Sequence, residues 1–284
     1  MLVYAAIGDA YGAAFEFLNY ERWPLNNGQA YFRQPDTGLG DGKYTDDTQM
    51  MAALMTTMNE HYTTLVTSSE IVENFFQSYK ADPRPGYSMG FKNLMDECET
   101  ATELHDRLRP QSTRSGAVMR AAPVGAYKTV YAVLEMAARQ AAITHNTPIA
   151  IECAQAVALL AHYLIHVGGP RDKAREFVNA NVPDRTVDWT IDRTDWASVE
   201  AVDCARNAIT AWYNSRSVTD VLVRSVAPGG DTDTVATIAM SLAWADKSLD
   251  DDLHVNMMSD LESGTFGFGY LFDINHRFVE KFCK

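Results

Sequence analysis

Apolar and small residues recur at helical spacing along most of the chain. Between residues 196 and 214, for example, Val199, Val202, Ala205 and Ile209 fall on one face of a helix. Similar patterns predict helices at residues 7–16, 47–59, 67–80, 88–100, 130–141, 148–167, 171–180, 217–226 and 231–245, and from residue 116 onwards. We find no convincing alternation of apolar and polar residues of the kind that half-buried strands show. The pattern predicts an all-α fold, and we interpret residues 1–284 as a single domain, a compact orthogonal helical bundle.

Polar segments rich in glycine and proline separate these predicted helices. The longest runs from residue 19 to residue 43, and loops of this length inside a compact domain are usually functional. From residue 250 the chain is acidic and then rich in glycine and aromatic residues. We expect this tail to form either a loop over a functional site or a flap that packs against the body.

The longest apolar run, residues 149–167, has the length of a membrane span but not its composition. It contains Glu152, Gln155, His162 and His166. Polar groups at these positions favour a buried helix of a globular protein over a helix in lipid. We therefore expect no membrane association.

Composition and charge narrow the classes of function. The 284 residues are 46% hydrophobic, enough for a large core, and the formal net charge is −13. Nucleic acid is an unlikely partner, because phosphate contacts need clustered lysine and arginine. The four cysteines lie far apart without metal-ligand spacing, and the first residues lack a basic, signal-type start. We expect a cytoplasmic protein in a reducing compartment, as a monomer or weak oligomer.

Two segments place more acid at the start of an apolar helix than a helix needs. Residues 227–234 read Ala-Pro-Gly-Gly-Asp-Thr-Asp-Thr, and residues 44–48 read Tyr-Thr-Asp-Asp-Thr. Either segment alone is explained by ordinary N-capping with a favourable helix dipole. Together they offer four carboxylates and several hydroxyls, the hard oxygen ligands that suit Mg²⁺, Mn²⁺ or Ca²⁺. The pair therefore favours a metal site, provided that the two segments meet in the fold.

Several other residues have a plain structural interpretation beside the functional one. His162 and His166 are four residues apart but lack the glutamate of a His-Glu-x-x-His zinc motif, so we assign them to the core or its rim. From the residues alone, Arg120 is expected to pair with an acid, and His145 to bond a backbone carbonyl. The small residues of the segment 8–12 are explained by close helix packing.

Five motifs, in order, resemble those of the ADP-ribosylglycohydrolase family. They are Gly8-Asp9-Ala10-x-Gly12-x-x-x-Glu16, Tyr44-Thr45-Asp46-Asp47-Thr48, Gly116-x-x-Met119-Arg120-x-x-Pro123, Thr144-His145-x-x-Pro148 and Gly229-Gly230-Asp231-Thr232-Asp233-Thr234. The second and fifth are specific, whereas the first and fourth are weak singly. One departure is Ser115-Gly116, where the family often has Asn-Gly.

The resemblance implies an all-helical fold with a dinuclear metal cleft that holds two Mg²⁺ or Mn²⁺ beside ADP-ribose. Carried over by position, the metal ligands would be Thr45, Asp46, Asp47, Asp231, Asp233 and Thr234. Glu16, Asp47 and Asp231 are the candidate catalytic carboxylates. The candidate substrate-binding residues are Ser115, Gly116, Met119, Arg120, His145, Gly229 and Gly230.

The expected activity is hydrolysis of the glycosidic bond between ADP-ribose and an acceptor. Such a bond breaks through an oxocarbenium-like state and needs a positioned water and a carboxylate that takes its proton. We expect the substrate to be an ADP-ribosylated protein, modified for instance on arginine, or a small ADP-ribosyl compound. The alternatives are a catalytically inactive member that binds ADP-ribose and a hydrolase of nucleosides or other small ADP-ribosyl compounds.

Overall fold

A computed structural model describes residues 1–18 and 25–283 of the chain. The helices in this part are α1 (Leu2–Gly12), α2 (Asp46–Glu60), α3 (Ser68–Ala81), α4 (Met89–Glu97), α5 (Ala101–Arg107), α6 (Val130–Ala142), α7 (Pro148–His162), α8 (Arg171–Asn181), α9 (Ala201–Tyr213), α10 (Val218–Val226), α11 (Thr232–Ala245), α12 (Asn256–Ser259) and α13 (Phe268–Phe282). Short 3₁₀ turns lie at Ser115–Ala117 and Ala122–Ala126, and a π-helical turn at Tyr163–Val167 extends α7. Only isolated β-bridges occur in these residues, so the all-α prediction is confirmed.

Helices α1 and α11 pack backbone to backbone at the centre of the molecule. A Cβ atom at Gly8 would lie 2.3 Å from the Ala236 carbonyl oxygen, and one at Gly12 would lie 2.4 Å from the Thr232 carbonyl oxygen. Two glycines one helical turn apart therefore create the groove into which α11 fits. The packing interpretation of the segment 8–12 is confirmed, and the contact sets the chain after α1 beside the start of α11.

The long apolar helix is a core element. The segment Pro148–Val167 is long and apolar enough to cross a membrane, but 72% of its most apolar window is buried inside the protein. His162 Nδ1 lies 3.0 Å from the Tyr127 carbonyl oxygen, and His166 Nε2 lies 2.9 Å from that of Ala126. Both histidines bond to the backbone of a neighbouring turn, in agreement with the packing role assigned to them.

Four predicted elements differ in their bounds. The first helix ends at Gly12 rather than at Glu16, and the helix predicted over 88–100 is α4, which ends at Glu97. The helix predicted from residue 116 is replaced by two 3₁₀ turns, the second of which carries Pro123 in its first turn. The helix predicted over 196–214 begins at Ala201, because Ala197 forms a bridge with Gly230.

The tail packs against the body, which is the second of the two alternatives expected for it. It ends in helix α13, which was not predicted and which packs against α1 and α2. Asn275 of this helix accepts a hydrogen bond of 2.7 Å from the Met1 amino group. The glycines at 267 and 269 concealed the helical pattern, since glycine is a poor helix former. Of the predicted loop 19–43, residues 19–24 lie outside the described part.

Candidate active site

Three carboxylates converge where α1 meets α11. Asp231 is the N-cap of α11 and Asp233 lies in its first turn, while Glu16 follows α1. Oxygen atoms of these three residues all lie within 4.8 Å of one another. Glu16 is more than two hundred residues away from the two aspartates in sequence, so the close packing of α1 on α11 is what brings them together.

The second acidic segment reaches the same cavity from the start of α2. Thr45 is the N-cap, and Asp46 and Asp47 occupy the first turn, both buried. The side chains of Asp46 and Asp47 line one cavity with Glu16 and Asp231. The two segments that the sequence separates therefore meet, as the metal interpretation requires.

Asp9 fixes the start of α2, a role that the sequence did not reveal. Its buried carboxylate accepts hydrogen bonds from the backbone N–H groups of Thr45 and Thr48, at 3.0 Å each, and from both threonine hydroxyls. Thr45 Oγ1 donates to Asp9 at 2.9 Å. Burial raises the pKa of Asp9 to about 6, although the four donors act against the shift. Through these hydrogen bonds Asp9 orients the first turn of α2, which carries Asp46 and Asp47.

The carboxylates are electrostatically unsatisfied by the protein itself. Burial, followed by the repulsion of the neighbouring acids, holds the pKa values of Asp46, Asp47 and Asp233 well above their usual range. The same two causes raise the pKa of Glu16 to about 7. Asp47 Oδ1 is buried without a hydrogen-bond partner among the described residues. An unpartnered oxygen amid hard oxygen donors fits a divalent cation such as Mg²⁺ or Mn²⁺.

The loop between α3 and α4 closes over Asp46, which the sequence also did not reveal. Gly86 has φ +102°, and a Cβ atom there would lie 1.9 Å from Asp46 Oδ1. A side chain at this position is therefore excluded on both conformational and steric grounds. Tyr87 donates to Gln49 Oε1 at 2.8 Å and lines the cavity. The glycine and proline residues of 82–87 indicated a loop, but not its contact with the acids.

Ser115 contacts the acidic group directly. Its hydroxyl donates to Asp231 Oδ2 at 3.0 Å, and the Cys204 thiol lies 3.4 Å from the same oxygen. Burial and the charge of Asp231 hold the pKa of Cys204 well above its usual range, so this thiol is a neutral donor. The two donors orient Asp231. The residue that departs from the common family motif, Ser115, therefore has a defined role here.

Arg120 supports the cavity wall from within. It is fully buried and donates at 2.8 Å to Gln140 Oε1, at 2.5 Å to the Gly116 carbonyl oxygen and at 2.8 Å to Thr144 Oγ1. Burial lowers its pKa to about 9. The ion pair expected from the residues alone is absent among residues 1–18 and 25–283. Arg120 lines the cavity, but its guanidinium N–H groups are already bonded to protein acceptors, among them the Gly116 carbonyl oxygen.

His145 lies on Gly116 and lines the cavity. A Cβ atom at Gly116 would lie 2.8 Å from His145 Cε1, so only glycine leaves room for the ring. His145 Nδ1 lies 2.7 Å from Thr144 Oγ1 rather than from a backbone carbonyl. Burial and the Arg120 charge lower its pKa to about 3, so the ring is neutral. The hydrogen bond to Thr144 engages Nδ1, which leaves Nε2 as the ring nitrogen available to a ligand in the cavity.

The cavity has a volume of about 760 Å³ and two differently charged parts. The acidic part contains Glu16, Asp46, Asp47, Asp231 and Asp233, and Thr234, Ser115, Gly116, Met119, Arg120 and His145 also line the wall. The basic part is the end of α5 with the segment that follows it, and contains Arg107, Arg109 and Arg114. Arg107 forms ion pairs with Glu97 and Glu103, so its charge is compensated by these two residues and not by the carboxylates of the acidic part. A ligand with both anionic and cationic groups suits such a cavity.

Three residues predicted for the site lie outside the cavity lining. Gly229 and Gly230, expected to bind substrate, have φ of +75° and +92° and pack against Trp196 and Ala197. A Cβ atom at Gly230 would lie 1.8 Å from the Ala197 carbonyl oxygen, so these glycines shape the turn before Asp231. The hydroxyl of Thr45, expected to bind metal, is engaged with Asp9.

The fold and the site define an all-helical protein with a buried acidic cavity, and comparison with known proteins assigns it to a family. The family model for ADP-ribosylglycohydrolase matches residues 1–244. The chain belongs to this family, whose members are hydrolases of ADP-ribose glycosidic bonds.

The relatives carry related names. The chain is 28% identical over 256 residues to the ADP-ribosyl-[dinitrogen reductase] glycohydrolase of Rhodospirillum rubrum, covering 87% of this chain and 84% of the relative. It is 25% identical to the ADP-ribosylarginine hydrolase Tri1 of Pseudomonas putida, covering 84% of this chain and 67% of that protein. It is 25% identical to the ADP-ribosylhydrolase ARH3 of Mus musculus, covering 85% and 81%.

A solved structure shares the fold. It is titled ADP-ribosylglycohydrolase-related protein complex and superposes with a TM-score of 0.75, covering 99% of this chain and 95% of that one. The sequence identity is 19%, so the match supports the fold alone.

Proposed function

We propose that this protein uses two divalent cations, Mg²⁺ or Mn²⁺, to remove ADP-ribose from an acceptor, and that the acceptor is an arginine side chain of a protein. The observation that carries the proposal is the convergence of Glu16, Asp231 and Asp233 within 4.8 Å, in the cavity that Asp46 and Asp47 also line. The acidic residues at the two helix N-termini exceed what capping needs, and they share one buried cavity. Bound cations would neutralise these carboxylates, which accounts for the excess.

Asp46, Asp47, Asp231 and Asp233 would hold the cations, with Thr234 beside them. Bound divalent ions supply Lewis acidity, orientation of ribose hydroxyls and a lowered pKa for a bound water. Thr45 is the less favourable of the predicted ligands, because its hydroxyl already donates to Asp9.

Glu16 is the best placed proton acceptor. It is part-exposed in the cavity, whereas the four aspartates are buried. Burial and the charge of Asp231 raise its pKa to about 7 in the metal-free protein, and bound cations would lower this pKa and so favour the carboxylate, the form that accepts a proton. The Glu16 carboxylate would take the proton of the attacking water and hold it while the acceptor leaves.

The neutral His145 and the Gly116 turn would orient the rest of the substrate. His145 Nε2 would form a hydrogen bond with a sugar hydroxyl of the substrate, since Nδ1 is engaged with Thr144. Arg120 keeps this arrangement rigid by holding Gly116 and Thr144 together. Neither residue changes its charge near neutral pH, so both serve orientation rather than proton transfer.

The preference for an arginine acceptor rests on charge and on the relatives. A guanidinium would be attracted to the Glu16 carboxylate, which is not assigned to the cations, whereas a neutral serine acceptor gains nothing from it. The name of one relative specifies ADP-ribosylarginine, and that of another specifies dinitrogen reductase.

The test is release of ADP-ribose from ADP-ribosyl-arginine and ADP-ribosyl-serine peptides, with Mg²⁺ or Mn²⁺ and with excess chelator. We expect the arginine peptide to be cleaved faster, and chelation to abolish cleavage. Undiminished activity in chelator would contradict the metal mechanism. Binding of ADP-ribose without cleavage of any substrate would indicate an inactive member, and cleavage of small ADP-ribosyl compounds or nucleosides in preference to peptides would indicate the other alternative.

A further inference from the structure

Two exposed aromatic side chains stand beside the acidic part of the cavity. Phe17 is 49% exposed and Trp196 is 41% exposed. Their ring centroids lie 6.4 Å apart with the ring planes inclined by 40°. Phe17 directly follows Glu16 and lines the cavity, whereas Trp196 lies next to it outside the lining. The pair therefore leads from the carboxylates toward the protein surface.

Both aromatic residues are held in place by the turn that carries Asp231. Phe17 has φ +51°, a conformation that is uncommon for a residue with a side chain, and its N–H donates to the Gly230 carbonyl oxygen at 2.9 Å. A Cβ atom at Gly229 would lie 3.0 Å from Trp196 Cζ3, so the indole rests on that glycine. The aromatic pair is thus built onto the same backbone as the acidic group, and a backbone strain is kept to place Phe17 there.

An exposed aromatic face beside carboxylates is suited to a guanidinium. Aromatic rings attract a cation placed over their face, and an arginine side chain also stacks on them. The Glu16 carboxylate, which is not assigned to the cations, adds attraction for the same positive charge.

We propose that Phe17 and Trp196 form the acceptor subsite, which contacts the guanidinium and side chain of the ADP-ribosylated arginine and so selects arginine over neutral acceptors. This proposal rests on the proposed function. It also gives the substrate a direction: ADP-ribose occupies the cavity, and the acceptor leaves past the aromatic pair toward the protein to which it belongs.

The basic segment supports this direction. Arg109 donates from its Nη1 atom to the carbonyl oxygens of Asp106 and Leu108, and the side chain of Arg114 has no partner among the described residues. Their positive charges favour the diphosphate of the substrate and disfavour a guanidinium. The diphosphate end of the substrate would therefore lie at the basic segment, and the acceptor end at the aromatic pair. The adenine ring, on which aromatic residues could equally stack, is joined to the diphosphate and would lie at the basic end.

The test separates acceptor contacts from ADP-ribose contacts. The variants Phe17→Leu and Trp196→Leu keep apolar volume but remove the aromatic face, and Trp196→Phe restores one. The measurements are kcat and KM for an ADP-ribosyl-arginine peptide and the Kd of free ADP-ribose, each with Mg²⁺ present. The matched control is Phe272→Leu on α13, since Phe272 is also 49% exposed but lies outside the cavity lining.

We expect KM for the arginine peptide to rise about three- to tenfold in each leucine variant, to recover largely in Trp196→Phe, and to stay unchanged in Phe272→Leu. The Kd of ADP-ribose is expected to stay within about twofold of the wild-type value, because product lacks the acceptor. An equal rise in KM and in this Kd would overturn the proposal and assign the pair to ADP-ribose. An unchanged KM would also overturn it. Failure of the proposed function is recognised separately, since the wild type itself would then not cleave the arginine peptide.

Discussion

At the scale of single residues, the site depends on carboxylates that differ in their surroundings. Asp9 is surrounded by donors, Asp231 receives two, and Asp47 keeps an unpartnered buried oxygen. The first two are therefore oriented by the protein, and the third is left for a ligand. Charge alone does not distinguish these roles, because all three are aspartates beside apolar helices in sequence.

Replacing Asp9 by asparagine tests its orienting role. The carboxylate accepts from two N–H and two O–H donors, whereas an amide presents its own N–H₂ group to some of them. We expect Asp9→Asn to lower the free energy of unfolding by about 1–3 kcal/mol. We also expect it to weaken Mn²⁺ binding about tenfold or more, as loss of an orienting partner does. Urea unfolding and metal titration are the measurements.

The control for this variant is Asp188→Asn. Asp188 also accepts several hydrogen bonds, from Asn179 and Thr190, but it is exposed. We expect a smaller loss of stability than in Asp9→Asn and unaltered metal affinity. Equal losses in the two variants would show that the buried position of Asp9 has no special effect.

Glu16 gives the metal-free protein a characteristic pH dependence. Its folded pKa of about 7 lies above its ordinary value of 4.5, so the folded state binds the proton more tightly than the unfolded state does. Its contribution to stability is fully present below pH 4.5 and is lost as the pH rises through 7. We expect the metal-free protein to be more stable at about pH 5 than at about pH 8, and Glu16→Gln to remove up to about 3 kcal/mol of that difference.

Urea unfolding in chelator at several pH values measures this effect. The comparison with Glu16→Gln is needed because Asp46, Asp47 and Asp233 have raised pKa values that act in the same direction. Protonation of His145, with its lowered pKa, acts in the opposite direction. Parallel pH profiles for the wild type and Glu16→Gln would contradict the assigned role of Glu16.

At the scale of elements, the α1–α11 contact positions the site. Gly8 and Gly12 let the two helix backbones touch, and this places Glu16 beside Asp231. The two glycines lower the intrinsic stability of α1, because glycine inside a helix is less favourable than alanine by about 1 kcal/mol. In return they allow the close approach of the two helices. A methyl group at this contact would therefore move the acids as well as destabilise the fold.

Gly12→Ala tests the contact. The new Cβ atom would lie 2.4 Å from the Thr232 carbonyl oxygen and 2.6 Å from Asp233 Cα, both rigid backbone atoms. We expect a loss of about 1–3 kcal/mol in the free energy of unfolding, with a fall in activity larger than that of an equally destabilised surface variant.

Gly269→Ala in α13 is the matched control. A Cβ atom there meets nothing within 4 Å, and no strained φ is involved. Because alanine favours the helix, this variant is expected to gain about 0.5–1 kcal/mol. Thermal unfolding of both variants checks the opposite signs. A neutral Gly12→Ala variant would show that the helices can separate without cost.

At the scale of the whole molecule, stability and metal binding are coupled. The buried acids repel one another in the metal-free fold, and cations that bind the folded state alone stabilise it by mass action. At a free metal concentration about a hundred times Kd, this linkage contributes about 2.7 kcal/mol.

We therefore expect Mg²⁺ or Mn²⁺ to raise Tm by about 5 °C or more at saturation, and chelator to reverse the rise. Differential scanning at constant ionic strength measures it. Asp233→Asn should largely abolish the shift, whereas Asp220→Asn on α10 should retain it, since Asp220 pairs with Arg224 away from the cavity. Equal shifts in both variants would place the binding of the metal elsewhere.

The sequence by itself determined the helical class and the acidic residues at two helix starts, because helical periodicity and capping are local properties. It also contained the family motifs, and the match over residues 1–244 confirms that resemblance. It did not contain helix α13, whose glycine-rich start contradicts the local preference and which forms by packing on α1 and α2.

The tertiary structure alone decided which residues meet. The roles of Asp9 and Gly86, the serine bond to Asp231, and the placing of Gly229 and Gly230 against residues 196–197 all depend on contacts between distant segments. The side chains of Phe17 and Trp196 likewise become neighbours only through the turn before Asp231. Such contacts are set by the close approach of helix backbones, and a local pattern of residues carries no measure of that distance.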